Sequence, residues 1–463
     1  MRRLQAGRLL RLLGGRLAKP PKVAGKFELR APSVQNAIDI FAGRWASDLG
    51  GVCGVTGTGS SDLFHDSRPQ LAADTLGHAG RLDGPPEYRE VMIGLMSGKS
   101  LDMDALRPKI RSGIVDVLRK QADAGIDIVS DGELGKVGFG GAGYYGRRLS
   151  GITSRKLKPD EPVFMAAATG ERLEFADFYK QIQFAGAVQE RTVCSGPIRY
   201  IGQEEVRQDL ELFRASLADA GVKPEECFMC VLAPGWLEHF FLNEYYKSDE
   251  EYLFALAEAM KHEYRAIIDA GFVLQLDDPA LPDTYDMIIP NPTIEEYRKF
   301  AQVRVDAMNE ALRGLPEDRI RYHICWGSWH GPHTHDLPLR HVVDLMLRIT
   351  AGAYSVEAAN PRHEHEWKLW QDVKLPEGKI LIPGVVTHHT NVVEHPEVVA
   401  DRIVRYANLV GRENVIAGTD CGMGFRVHPQ IAWAKLKVLQ EGARVASERL
   451  WGARRAAGSQ GIR

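Results

Sequence analysis

Val415-Ile416-Ala417-Gly418-Thr419-Asp420-Cys421-Gly422 is a short apolar run that ends on an acid and a cysteine, and it is the last of eight such runs in the chain. The others are Thr75 to Gly80, Ile126 to Ser130, Phe228 to Ala233, Val273 to Asp277, Tyr322 to Trp326, Tyr354 to Glu357 and Ile380 to Val386. Between them lie amphipathic stretches such as Ala105 to Ala124 and Glu250 to Ala270, with apolar residues at three-to-four spacing and a glycine after the end. Short β-rich runs alternating with helices of that length describe an α/β protein built on a parallel sheet, and eight repeats predict a closed (β/α)8 TIM barrel. The C-terminal ends of the runs are polar: Asp131-Gly132-Glu133, Asp277-Asp278, His323 with Cys325, Glu357, His388-His389 and Asp420-Cys421. A barrel gathers those ends around one mouth, where the chemistry of this fold sits. A doubly wound open sheet would instead spread them along a line.

The barrel reading assigns residues 74–445 to one catalytic domain. Residues 1–73 form an N-terminal extension, a basic, flexible leader followed by a Gly-, Ser- and Asp-rich appended segment. Residues 446–463 read as a flexible C-terminal tail. Residues 134–200 are rich in Gly and Arg at their start and fit no βα unit, so they read as an insertion after the second strand, a hairpin or a lid.

A net charge of -3 over 463 residues gives no global electrostatic case for nucleic acid or an anionic membrane, which leaves small molecules as partners. No apolar stretch reaches the length of a membrane helix. Six cysteines in a chain of this size are too few for a disulfide scaffold, and two of them stand beside His and Asp. That usage points to metal chemistry in a reducing compartment, hence the cytoplasm.

Residues i and i+2 of a strand point to one face, so the imidazole of His323 and the thiol of Cys325 can reach one ion. Cys421 and Glu357 end two other runs on the same rim. Nitrogen, sulfur and oxygen donors in one set favour Zn²⁺, in surroundings that suit binding a substrate thiol as thiolate. The competing reading is a buried histidine and two inert core cysteines. His388-His389 ends the seventh run, and one of the pair can serve as a proton donor. Glu133 and Asp277 can hold a substrate ammonium or simply pair with Arg147 or Arg148. Cys227-x-x-Cys230 lies in a strand where i and i+3 face opposite sides, which makes it structural. Gly138 to Gly143 satisfies GxGxxG only formally. The histidines of Trp329 to Asp336 read as a rim loop with a substrate contact or two, in preference to a second metal site.

Taken in order, Gly125 to Glu133, Leu274 to Leu281, His323-Ile324-Cys325, Val356-Glu357, Gly384 to His389 and Asp420-Cys421-Gly422 resemble the C-terminal zinc-binding barrel of the cobalamin-independent methionine synthases. The resemblance spans roughly residues 74 to 445 and makes the chain a single-barrel member. It implies that His323, Cys325, Glu357 and Cys421 bind zinc, that Glu133 and Asp277 hold the amino-acid part of homocysteine, and that His389 acts as an acid toward the departing methyl carrier. The implied activity is that of a 5-methyltetrahydropteroyltriglutamate-homocysteine S-methyltransferase, with a methylfolate or methylcorrinoid as the methyl donor. Where the family has an Ile-Gly-Ser-like turn after its first strand, this chain reads His78-Ala79-Gly80-Arg81, and Arg81 can bind a carboxylate or a sulfonate. That departure keeps open a zinc-dependent alkyltransferase acting on another small thiol, for example an epoxide added to a sulfonated thiol. A non-catalytic zinc-stabilised barrel is the third reading.

Overall fold

In the computed structural model, residues 77, 80–88, 90, 103–136, 142–158, 161, 169–181, 190–221, 227–327 and 329–452 are described. The leader and appended segment of residues 1–73 lie outside them. A parallel sheet carries strands β1 (Val129–Ser130), β4 (Cys227–Leu232), β6 (Val273–Asp277), β7 (Ile320–His323), β8 (Ala353–Glu357), β9 (Ile380–Val386) and β10 (Gly418–Thr419), hydrogen-bonded in that order. Every neighbouring pair in it is parallel. Most of the first apolar run of the sequence lies outside the described residues, but Gly77 within it and Leu82 after it sit at the two edges of this sheet. Gly77 donates its N–H to Ala417 O (3.0 Å) beside β10, and Leu82 donates to Gly132 O (3.2 Å) beyond β1. The seven described strands therefore curl as the wall of a (β/α)8 barrel.

Period-two alternation explains which residues line its interior. Phe228 and Cys230, Val273, Ala353, Ile380 and Ile382, and Ile416 form one small buried cluster with Ile128. Alternate positions, among them Met229, Leu274, Tyr322, Tyr354 and Leu381, join the larger core under the helices. Climbing the inner face in steps of two leads from these apolar floors to Asp277, His323 and Glu357. The outer helices are Met103–Asp123, Gln203–Ala220, Asp249–Asp269, Ile294–Leu312, Pro396–Val410 and Pro429–Trp451. Local chemistry sets their ends: Ser248 Oγ accepts from Glu251 N–H, and Thr293 with Glu296 forms a reciprocal capping box. The last helix continues past residue 445, where the sequence reading closes the domain, to Trp451, and Ala446 is fully buried within it. None of the described helices is long and apolar enough to cross a membrane.

The insertion after β1 supplies an antiparallel hairpin, β2 (Ile152–Lys156) with β3 (Glu190–Cys194), and β5 (Leu242–Asn243) adds to β3 in parallel. Two short helices, Thr169–Glu174 and Ala176–Gln181, lie between the hairpin strands. One buried arginine joins this layer to the barrel. Arg148 meets Glu263 (2.7 Å) and Asp209 (2.5 Å), with its guanidinium 3.8 Å from the centre of the Tyr144 ring. Both Arg148 and Glu263 are almost completely excluded from solvent. Removing one member of such a pair leaves a buried charge unanswered. Arg148→Met is expected to destabilise the fold by about 3–5 kcal/mol in chemical denaturation, and a loss below about 1 kcal/mol would show that the pair behaves like a surface contact.

Candidate metal and substrate site

His323 ends β7, Cys325 follows on the same side, and Cys421 follows β10. One donor atom from each comes within 4.8 Å of the other two. Backbone geometry builds this approach. A Cβ at Gly384 would lie 2.4 Å from Asp420 Cα, so only a glycine there lets the end of β10 close on β9. Asp420 Oδ1 then accepts from Ala358 N–H (2.7 Å) and Ala359 N–H (2.9 Å), tying the residue before Cys421 to the chain just beyond Glu357. His323 Nδ1 lies 3.1 Å from Ser355 Oγ on the adjacent strand, which fixes the ring. Its Nε2 is buried with no hydrogen-bond partner. Together with the sulfurs of Cys325 and Cys421, that buried nitrogen could hold a metal ion.

Electrostatics divides the two thiols. A hydrogen bond from Cys325 holds Cys421 well below the ordinary thiol range, with His323 adding to the effect against burial. Cys325 is pushed well above it by that same contact with Cys421 and by burial. Burial works against a charged His323, yet the neighbouring Cys421 raises its pKa on balance.

Glu357, expected from the sequence as a fourth ligand, is not among the donors that meet within 4.8 Å and faces other partners. Its Oε1 accepts from Trp326 N–H (3.1 Å), its Oε2 accepts from Asn360 Nδ2 (2.9 Å), and His389 Nε2 is 3.6 Å from Oε2. Burial opposes its charge, but His389, His388 and His363 lower its pKa far enough to keep it ionised. His388 is fully buried, neither ring nitrogen has a partner, and burial lowers its pKa to about 3. His389 is held by its backbone: its N–H donates to Thr387 Oγ1 (3.1 Å), while Thr387 N–H donates to Glu394 (2.8 Å).

A second cluster joins Glu133, Cys230 and Asp277, whose donor atoms also lie within 4.8 Å of one another. Cys227 and Cys230 do face opposite sides, one in each core cluster. Lys136 Nζ is 3.4 Å from Glu133 Oε2 and also donates to Cys230 O. Burial and the charge of Glu133 raise Asp277 to about 6. For Glu133, burial is the largest influence and opposes its charge, but Lys136 and Arg81 together lower its pKa on balance. Arg147 and Arg148 pair elsewhere, both with Glu205. Arg81, expected to bind a substrate anion, donates through Nη2 to Glu133 O (3.1 Å) and Lys136 O (2.7 Å). That guanidinium braces the loop carrying Glu133, whose own φ of 58° needs such support.

Sequence reasoning passed over Lys136, Arg426 and the partners of the histidine loop. His333 Nδ1 is 3.0 Å from Asp336 Oδ2, and His363 Nε2 is 2.9 Å from the same oxygen. The ring of His333 meets that of His389 edge-on at 4.9 Å. The inserted helices cover this loop: Thr334 N–H donates to Glu171 (3.0 Å), and His335 is 2.5 Å from Glu174. The i, i+3 spacing of His333 and Asp336 was a signal available in the sequence. Contacts across some 160 residues were not.

Residues 240–445 match the family described as Cobalamin-independent synthase, catalytic domain. A methionine synthase from Saccharolobus solfataricus is 22% identical over 385 residues, covering 82% of this chain and 96% of that protein. One from Thermococcus kodakarensis is 23% identical over 366 residues, covering 79% and 91%. The fold is shared with a B12-independent methionine synthase from Shewanella sp. W3-18-1 solved with selenomethionine, at 20% identity, a TM-score of 0.59, and coverage of 81% of this chain and 98% of that one. The sequence order, the barrel and the curated relatives agree in their likeness to this family.

The split between the thiols is measurable on metal-stripped protein. Iodoacetamide at pH 7 should label Cys421 ahead of Cys325 and Cys230, because the thiolate is the nucleophile and only Cys421 is shifted toward it. Peptide mapping that found Cys230 labelled first would contradict this assignment.

Proposed function

We propose that this chain, a relative of the cobalamin-independent methionine synthases, is a zinc-dependent methyltransferase that moves a methyl group to the thiol of homocysteine to give methionine. The observation that carries the reading is the meeting of His323, Cys325 and Cys421 at the barrel mouth, with the imidazole Nε2 left unsatisfied. The donor set fits zinc: an imidazole nitrogen, two sulfurs, and in Glu357 an ionised carboxylate beside them for the fourth place. When bound, the ion supplies the Lewis acidity that keeps a substrate thiol ionised near neutral pH.

The chain's own residues account for the rest. Glu133 and Asp277 form an acidic pair, offset only in part by Lys136, and an ammonium placed between them relieves their mutual repulsion. The thiolate sulfur forms its bond to the methyl carbon as the bond from that carbon to the donor breaks, and the donor's departing atom takes a proton. His389 is suited to provide it, since His388, with a pKa near 3 and no outlet for its ring nitrogens, stays neutral and enclosed. A methylfolate or a methylcorrinoid is the class of donor proposed. Reduced cysteines throughout the described residues suit a reducing compartment such as the cytoplasm.

Purified protein should contain zinc near one equivalent and form methionine from homocysteine with one of these donors. Cys421→Ser is expected to reduce turnover at least about a hundredfold, since losing even a supporting residue around a metal costs up to that much, while the melting transition persists. Zinc-replete protein inactive with both donors would refute the methyltransferase. Binding of a different thiol in its place would identify an alkyltransferase for that thiol, and collapse of the fold in Cys421→Ser would mark a structural zinc site.

A further inference from the structure

Arg426 is a cation near the mouth that makes no ion pair with a carboxylate among the described residues. It follows Cys421 by five residues in a loop whose backbone is fixed. Gly424 N–H donates to Arg81 O (2.8 Å), Phe425 N–H to the Asp83 carboxylate (3.3 Å), and Arg426 N–H to Met423 O (3.1 Å). The neighbouring Arg81 is engaged with Glu133 O and Lys136 O, and Arg402 and Arg362 have partners of their own, Glu364 with Val385 O and Thr334 O. The side chain of Arg426 is exposed, and no carboxylate among the described residues pairs with it. It stands close enough to the sulfurs of Cys421 and Cys325, and to the rings of His330 and His388, for its charge to act on all four. Its guanidinium is open at the mouth, where an incoming anion can reach it and make charge-assisted hydrogen bonds.

The charge balance of the site says which anion. Two thiolates and the Glu357 carboxylate leave a divalent ion net negative, and the Glu133–Asp277 pair adds to that field. A thiolate that also bears a carboxylate enters such a site against repulsion unless a cation receives the second charge. We propose that Arg426 binds the anionic group of the thiol substrate, the carboxylate when that substrate is homocysteine, and so sets specificity for thiols that carry an acid. This assignment rests on the thiol-binding reading above. It divides the substrate between two polarities, with Glu133 and Asp277 taking the ammonium and Arg426 the carboxylate.

The test compares homocysteine with its decarboxylated counterpart, 3-aminopropanethiol, which keeps the thiol, the ammonium and the spacing between them. Calorimetric titration of zinc-loaded protein reads binding without turnover. Wild type should bind homocysteine more tightly. In Arg426→Gln the Kd for homocysteine should rise about tenfold to a hundredfold, the Kd for 3-aminopropanethiol should stay within about twofold, and Arg426→Lys should recover part of the loss. Zinc content and melting temperature equal to wild type show that the exposed substitution leaves the fold intact. If both thiols weaken equally, Arg426 merely offsets the charge of the metal thiolates and the assignment falls. It also falls if neither changes, and in that case the thiol-on-zinc reading survives without it. Wild type that binds neither thiol overturns that reading and this one together.

Discussion

Everything at the mouth depends on the two-residue period of the inner face of a closed parallel barrel. A side chain that faces the lumen has its next lumen neighbour two residues on, so each strand offers only two or three such positions before it ends. The lower positions are filled with Phe228, Val273, Ala353, Ile380 and Ile416, which exclude water and set the spacing of the strands above. Polar side chains of the inner face gather toward the mouth, with Gln275 and Ser355 one step of two below Asp277 and Glu357. Arg321, which shares its side of β7 with His323, is a buried cation whose guanidinium lies 4.0 Å from the centre of the Phe228 ring and whose charge acts on Asp277 and Cys230. Beneath a mouth rich in carboxylates and sulfurs, that cation offsets part of the negative field.

This constraint explains why so much was legible in the sequence. Seven of the eight apolar runs carry strands of the sheet and needed only composition and spacing, and the residue ending each of them lies on the rim as the sheet curls. His323, Cys325 and Cys421 followed from the same geometry, since a shared face and adjacent strand ends leave little freedom. Glu357 is a subtler case. Its strand position was readable, but the direction of its carboxylate depends on Trp326 N–H, Asn360 and His389, which are contacts between loops.

What stayed hidden has one physical cause: the partner comes from a distant part of the chain and is selected by side-chain conformation. Arg81 looks free in a line of text, yet the carbonyls of Glu133 and Lys136, more than 50 residues away, are within its reach. Lys136 looks like ordinary loop polarity until its ammonium is seen between Glu133 and Cys230 O. The insertion is similar. Its Gly- and Arg-rich opening showed that it left the barrel pattern, but not that Arg148 would be buried against Glu263 of an outer helix. Periodicity reports burial of a face, whereas charge pairing across the fold leaves no periodic trace.

The same backbone ties bear on what a metal ion would do here. Ser355 holds the His323 ring, Asp420 joins the chain beyond β8 to the approach of Cys421, and Gly384 permits the close packing of the two strand ends. None of these contacts uses an ion. A small zinc domain folds because its metal replaces a missing core, but this barrel buries a large core of its own and brings three donors together on rigid elements. The binding energy of an ion is then not consumed in ordering the chain, and an external ligand can be exchanged without unfolding it. Donors gathered by the fold itself suit a metal centre whose outer ligand exchanges, whereas a structural clasp is ordered by its ion.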